Sequence, residues 1–265
     1  MPIRKFVRGS VDRGTLDRVA AEVGARHELP GATVEPLEAN NWLSTPVVVG
    51  AELFVKVITP QNALVHAVLT AGRNLGVFSS GTEGFFERFE TPVEMARHEF
   101  EATRRMHEAG LNVPEPLEAF EFEGAGVLVL EYLKDMEPLG AQPSETVAKY
   151  APALFEMLDR MHKAGVVHGD LRGENVLLAD GALYVIDATK VRPEAFAEAR
   201  AYDIACALAA IEGLVDARTA VAAAAQTVDA ETLLAAESFL DFVSIRPDHD
   251  FDARALEAEI GRMAV

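Results

Sequence analysis

The chain has 265 residues, with 42 acidic side chains against 24 basic ones and a formal net charge of −18. That length supports one large domain or two small lobes with a proper core, and a hydrophobic content of 49% excludes a disordered chain. No apolar run reaches the ~20 residues a bilayer demands. The opening MPIRKFVRGSVDRG lacks a signal-peptide core, and a single cysteine, Cys206, forbids an internal disulfide, so a cytoplasmic protein is expected. The negative surface disfavours binding to nucleic acid through phosphates and suits a high-salt cytosol, an acidic proteome, where counter-ions screen it.

Residues 11–28 show helical spacing at Leu16, Val19, Ala20 and Val23, which Pro30-Gly31 interrupts. Residues 32–58 read as three strands, ATVEPLE, TPVVVG and AELFVKVI, with Gly50 at a turn. Residues 60–91 begin with a helical pattern, QNALVHAVLTAGRNL, and continue as GVFSSGTEGFFERFE, a Gly/Ser/Phe-rich stretch expected to be a long, partly mobile insertion. A helix is expected over 92–109, with Pro92 at its start, Gly110 at its end and Met95, Phe100, Ala102 and Met106 at apolar spacing. VPEPLEAFEFEGAGVLVLEYL then reads as a hairpin, and 143–164 as an amphipathic helix. A short β pair around Asp180-Gly181 follows, and from about 193 onward the pattern is helical.

Strands with one helix therefore precede a run of helices. The expected fold class is α+β and bilobal, a β-rich N-lobe and a helical C-lobe with a nucleotide site in the cleft. The expected boundaries are an N-terminal helical extension over 1–31, an N-lobe over 32–133 containing the insertion 60–91, and a C-lobe over 134–265.

The most specific stretch is His168-Gly169-Asp170-Leu171-Arg172-Gly173-Glu174-Asn175, followed by Val176-Leu177-Leu178 and then Tyr184-Val185-Ile186-Asp187. Asp170 and Asn175 stand five positions apart, the interval of a phosphoryl-transfer catalytic loop, and Asp187 closes a short apolar strand. Transfer of a γ-phosphoryl group depends on positioning and charge neutralisation. On that chemistry Asp170 accepts or orients the proton of the attacking hydroxyl, and Asn175 and Asp187 hold Mg²⁺ (or Mn²⁺) through oxygen. The bland alternative, a turn before a buried strand pair, does not require His168, Asp170, Asn175 and Asp187 together.

Lys56, in Phe54-Val55-Lys56-Val57-Ile58, is the only lysine between residues 6 and 133 and suits the α/β-phosphates of ATP. A buried ammonium requires an anionic partner; among Glu94, Glu99 and Glu101, helical rotation places Glu99 with Met95, Ala102 and Met106. The backbone of Glu131 to Leu133 offers an adenine-binding hinge. Asp203 either braces the catalytic-loop backbone or caps a helix. An acidic patch, Asp248, Asp250 and Asp252, suits either a cationic substrate or plain solvation.

These motifs resemble the protein-kinase-like superfamily, and most closely its RIO-type branch of atypical serine/threonine kinases. HEFEATRRMHEAGLNVPEPLEAF, VLVLEYL, VVHGDLRGENVLL and LYVIDATKV carry the likeness over roughly residues 33–215. It implies the roles given above for Lys56, Glu99, Asp170, Asn175 and Asp187, and makes Ser79, Ser80 and Thr82 candidates for autophosphorylation. No G-x-G-x-x-G precedes Lys56, so a turn over 40–45 containing Ser44 is left to cover the phosphates. Gly169 replaces the arginine that grips a phosphorylated activation loop, and no Ala-Pro-Glu follows. The implied function is an ATP- and Mg²⁺-dependent protein serine kinase or regulatory ATPase. The alternatives are an aminoglycoside- or sugar-type phosphotransferase and a nucleotide-binding pseudokinase.

Overall fold

A computed structural model of the chain describes residues 11–37, 43–79, 83–246 and 249–263. The fold is α+β, and the chain forms two compact units, each built from three segments. The first comprises Met1–Ala71, Arg88–Arg104 and Pro114–Lys134. The second comprises Gly72–Glu87, Arg105–Val113 and Asp135–Val265.

The first unit is organised by a five-stranded antiparallel sheet, β1 (Val34–Pro36), β2 (Thr45–Val49), β3 (Leu53–Ile58), β4 (Pro116–Phe122) and β5 (Ala125–Glu131), in the order β1-β2-β3-β5-β4. The β4–β5 hairpin turns through Glu123 (φ 48°) and Gly124 (φ 78°), two successive left-handed residues that match the twist of the paired strands. Strand periodicity sorts β3 into two faces. Val55 and Val57 pack with Leu16, Val19 and Val23 of helix α1 (Arg13–Arg26), which therefore lies on the sheet as part of its core. On the opposite face Ile58 packs with Phe89, Met95, Ala96, Leu128 and Leu130, and Phe54 joins them.

Helix α2 (Pro60–Ser79) leads from this sheet to the second unit, and α3 (Pro92–Glu108) begins on the sheet. The stretch between them differs from the expected mobile insertion. α2 continues to Ser79, and Phe85, Phe86 and Phe89 are buried. Asn74 closes on Phe86, its Nδ2 donating to the Phe86 carbonyl and its Oδ1 accepting from the Phe86 N–H, each at 2.9 Å. Phe86 also bridges to Val191. The glycines and serines signal a loop, but three large aromatics are worth more buried than exposed. Ser80 and Thr82, together with residues 40–42 of the stretch expected to cover the phosphates, lie outside the described residues.

In the second unit helix α4 (Ser144–Lys163) packs against α5 (Phe196–Val215), a largely buried helix in which Tyr202, Ile204, Cys206 and Leu208 are all enclosed. α6 (Ala217–Ala224), α7 (Ala230–Glu237), α8 (Leu240–Ser244) and α9 (Ala253–Met263) surround it. A small sheet of β6 (Glu137–Pro138), β7 (Val176–Ala179) and β8 (Ala182–Val185) carries the functional loops. Its β7–β8 turn uses Asp180 and Gly181, both at positive φ. Among the described residues, no helix is long and apolar enough to cross a membrane.

Candidate active site

Lys56 lies on the face of β3 that α3 covers, and is 5% exposed. Successive strand residues alternate faces, so Lys56 points away from the Val55 and Val57 side and into the environment of Met95 and Ala96. Glu99 follows Ala96 by three and Met95 by four positions on α3, and its Oε1 accepts a hydrogen bond from Lys56 Nζ. Both side chains are largely enclosed, at 6% and 13% exposure. A pair in such surroundings is costly to break, because removing one partner leaves the other charge uncompensated. Glu94 is used elsewhere, accepting from the Glu90 N–H at 2.8 Å, and Glu101 pairs with exposed Arg104.

Ser44 is buried immediately before β2, whose Thr45 and Pro46 pair with Val57 and Lys56. At the end of β5 the Glu131 N–H donates to the Glu115 carbonyl and the Tyr132 N–H to that of Glu52. Those two donors are committed to the sheet, so a hinge donor in this stretch falls to Leu133.

In the second unit the loop over 168–175 is fixed from two sides. Asp203, mid-helix in α5 and fully buried, accepts from the His168 N–H through Oδ2 and from the Gly169 N–H through Oδ1, both at 2.7 Å. Its Oδ2 is also 3.0 Å from His162 Nε2. Asp203 therefore braces the loop backbone, and α5 starts too early for it to be a cap. From the other side His168 Nε2 donates to the Ile186 carbonyl at 2.8 Å, while its Nδ1 accepts from the Asp170 N–H at 3.2 Å. This pattern requires a neutral ring, and burial pushes the His168 pKa down in spite of nearby Asp203 and Asp170. His168 is a hydrogen-bonded support. Gly169 has φ +71°, and a Cβ there would lie 2.3 Å from Thr189 Cγ2, so no side chain fits between the two loops.

Asn175 Nδ2 donates to the Asp170 carbonyl at 2.9 Å, which orients the carboxamide and makes Oδ1 the atom that could meet a cation. The Ile186 N–H donates to the Asn175 carbonyl at 3.1 Å, extending the Val176↔Val185 register by one step. Asn175 and Asp187 thus sit at the same end of one hairpin, and Asp187 adopts a left-handed backbone (φ 67°). A carboxamide oxygen and a carboxylate are hard donors of the kind Mg²⁺ prefers. Among the described residues no group of three or more His, Cys, Asp or Glu is placed to hold a metal. Two side-chain donors suit an ion completed by phosphate oxygens and water.

Asp170 itself is buried and ringed by arginines. Its Oδ1 lies 2.6 Å from Arg73 Nη2 on α2 and 2.7 Å from Arg246 Nη2, beyond the end of α8, while Arg172 Nη2 is 3.8 Å from Oδ2. Burial raises the Asp170 pKa, but Arg73, Arg246 and Arg172 together outweigh it and hold the carboxyl well below the usual carboxylate range. Arg246 also donates to the hydroxyl of Tyr202. Neither Arg73 nor Arg246 emerged from the sequence motifs. Arg73 could have been found by scarcity, being the one charged residue in α2, the argument that singles out Lys56. Arg246 carries no such signal. Of the acidic patch, Asp248 lies outside the described residues, and the Asp252 N–H donates to Glu212 Oε2 at 3.0 Å.

Residues 86–202 match the model of the RIO domain. The KEOPS complex subunit Bud32 of Pyrococcus abyssi is 35% identical over 88 residues, covering 32% of this chain and 39% of that protein. The RIO-type serine/threonine-protein kinase Rio1 of Haloferax volcanii is 34% identical over 95 residues, 34% of this chain and 31% of that one. The 3-deoxy-D-manno-octulosonic acid kinase of Vibrio vulnificus is 30% identical over 105 residues, 37% and 44% of the two chains. The chain thus spans less than half the length of each of these relatives. Among solved structures, the PknI kinase domain of Mycobacterium tuberculosis aligns at 15% identity with a TM-score of 0.44, covering 89% of this chain and 96% of that one.

Proposed function

We propose, for a chain whose residues 86–202 match the model of the RIO domain, an ATP- and Mg²⁺-dependent phosphotransferase that acts as a RIO-like protein serine kinase or as a regulatory ATPase. The observation that carries this reading is the braced loop, in which Asp203 holds the His168 and Gly169 amides and Asn175 is tied to the Asp170 carbonyl. Such bracing is what a group that must meet a reacting hydroxyl to within a fraction of an ångström requires.

Asp170 takes the acceptor proton as the hydroxyl oxygen bonds to the γ-phosphorus and the bond to the ADP oxygen breaks. Asn175 and Asp187 hold the divalent ion, Mg²⁺ or Mn²⁺, which when bound neutralises charge on the phosphates. Lys56, fixed by Glu99, contacts the α/β-phosphates. Ser44 and the backbone around Leu133 bind the remainder of the nucleotide, Leu133 together with the Glu131 carbonyl meeting the adenine edge. The acidic surface keeps nucleic-acid phosphates away. One buried, unpaired cysteine is in keeping with a reducing cytoplasm.

Incubation with γ-³²P-labelled ATP and Mg²⁺, alone, with casein as acceptor and with small alcohols, tests this. Label on polypeptide serine is the expected result. Label on a small alcohol instead would make the protein a small-molecule phosphotransferase, and nucleotide binding without turnover would make it a pseudokinase.

A further inference from the structure

Helix α2 has its polarity turned inside out. Its buried side is polar. Asn62, His66 and Thr70 are each at most 5% exposed, Asn62 accepts from the Thr59 N–H, and Arg73 and Asn74 are held by Asp170 and Phe86. Its open side is apolar. Leu64 and Val68 are each 66% exposed, Leu75 is 75% and Leu69 42% exposed, and Ala71 and Gly72 are exposed beside them. A Cβ added at Gly72 would meet nothing within 4 Å. An amphipathic helix that serves only its own core places these two faces the other way round. The outward leucines are therefore arranged for a surface that the core of the chain does not supply.

We propose that this face is a self-association seam, on which a second copy of the chain docks its own α2, antiparallel and about a twofold axis. Leu64, Val68, Ala71 and Leu75 follow one another at steps of four, three and four residues, the spacing that keeps a stripe facing a partner helix. The stripe is also symmetric in position. Leu64 and Leu75 stand equally far from the midpoint between Leu69 and Thr70, and so do Val68 and Ala71. A twofold axis there sets Leu64 of each copy against Leu75 of the other, and Val68 against Ala71, the reciprocity that a closed dimer requires. Small Ala71 and Gly72 lie near the axis, where the two backbones come closest. Charge selects the place. At −18 two copies repel over most of their surface, but α2 carries no carboxylate, and its one permanent charge, Arg73, is turned to Asp170. The stripe is a patch of ~400 Å². With the flanking backbone two copies remove roughly 800–1,000 Å², the low end for a specific interface and the range of a weak, reversible dimer.

Sedimentation equilibrium of the full chain in KCl tests this. A monomer–dimer equilibrium with Kd on the order of 10 μM is expected, tightening about tenfold from low to molar salt as the repulsion is screened. Leu75→Glu changes a side chain that lies mostly in solvent, so it should weaken the dimer about tenfold or more without moving the thermal midpoint. Crosslinking reads the register, because Cys206 is fully buried and stays out of the reaction. In the antiparallel pair Leu64→Cys of one copy faces Leu75→Cys of the other, within reach of a disulfide, which spans up to about 7 Å between Cα atoms. Two copies of either variant alone hold their cysteines about 16 Å apart along the axis, at 1.5 Å per residue. A mixture of the two variants should therefore crosslink under mild oxidation, and each variant alone should not. A chain that stays monomeric at ~200 μM overturns the seam, as does a dimer that Leu75→Glu leaves unchanged. Crosslinking of each variant only with itself means parallel pairing and overturns the twofold arrangement. A monomer that floats with zwitterionic vesicles through Leu75 assigns the stripe to lipid and overturns the seam as well. Should Leu75→Glu fail to fold, the crosslinking of the mixed cysteine variants decides.

Discussion

Asp203→Asn is nearly isosteric, so it opens no cavity and isolates the bracing of the catalytic loop. The native carboxylate accepts from the His168 and Gly169 amides, both at 2.7 Å, inside a fully buried site. An asparagine keeps one acceptor oxygen and turns an NH₂ toward the other donor. One charge-assisted bond, worth about 1.5–3 kcal/mol, is lost, and a buried N–H left unsatisfied adds about 1–3 kcal/mol, so a total near 3–5 kcal/mol is expected. Native-state hydrogen exchange reads the effect where it arises, as faster exchange of the His168 and Gly169 amides, and urea melts read it over the second unit. Turnover should fall about a hundredfold, since Asp170 follows Gly169 directly and ångström displacements of a catalytic group are costly. A variant within about 1 kcal/mol of wild type, with both amides still protected, would refute the bracing argument.

Other outcomes follow from the same geometry. Glu99→Gln removes the carboxylate that Lys56 pairs with on a buried face and should destabilise the first unit by about 3–5 kcal/mol in urea melts, with weaker ATP binding by calorimetry. For His168, folding depresses the pKa below 6.5 through burial, so the unfolded chain binds the proton first. Its contribution to stability is complete above 6.5 and is lost as pH falls from there toward the folded value, and His168→Gln should flatten that part of a stability–pH curve. The net charge of −18 predicts a thermal midpoint that rises from low to molar KCl; a salt-indifferent melt removes the link to a saline cytosol.

How much of this was legible in the sequence depended on how local the cause was. The hairpin turns at Glu123-Gly124 and Asp180-Gly181 announce themselves, since the chain must enter the left-handed region there. Lys56 and Glu99 were readable because strand alternation and helical rotation fix which faces they occupy before any tertiary contact is known. The segment after α2 was not, since its glycines and serines outweigh three phenylalanines in any local reading and only the tertiary fold decides that the rings are buried. Asp203 was seen but left between two roles, and the mid-helix position that excludes capping depends on where α5 begins. Arg73 and Arg246 stand 97 and 76 positions from Asp170 in sequence, and no spacing rule reaches that far.

The central claim is that Asp170 serves the acceptor hydroxyl in a phosphoryl transfer from ATP, and the turnover of Asp170→Asn with γ-³²P-labelled ATP and Mg²⁺ tests it most directly. A loss of about 10²–10⁴-fold, with ATP still bound at wild-type strength, is the predicted result. Undiminished label transfer or hydrolysis by Asp170→Asn would contradict it.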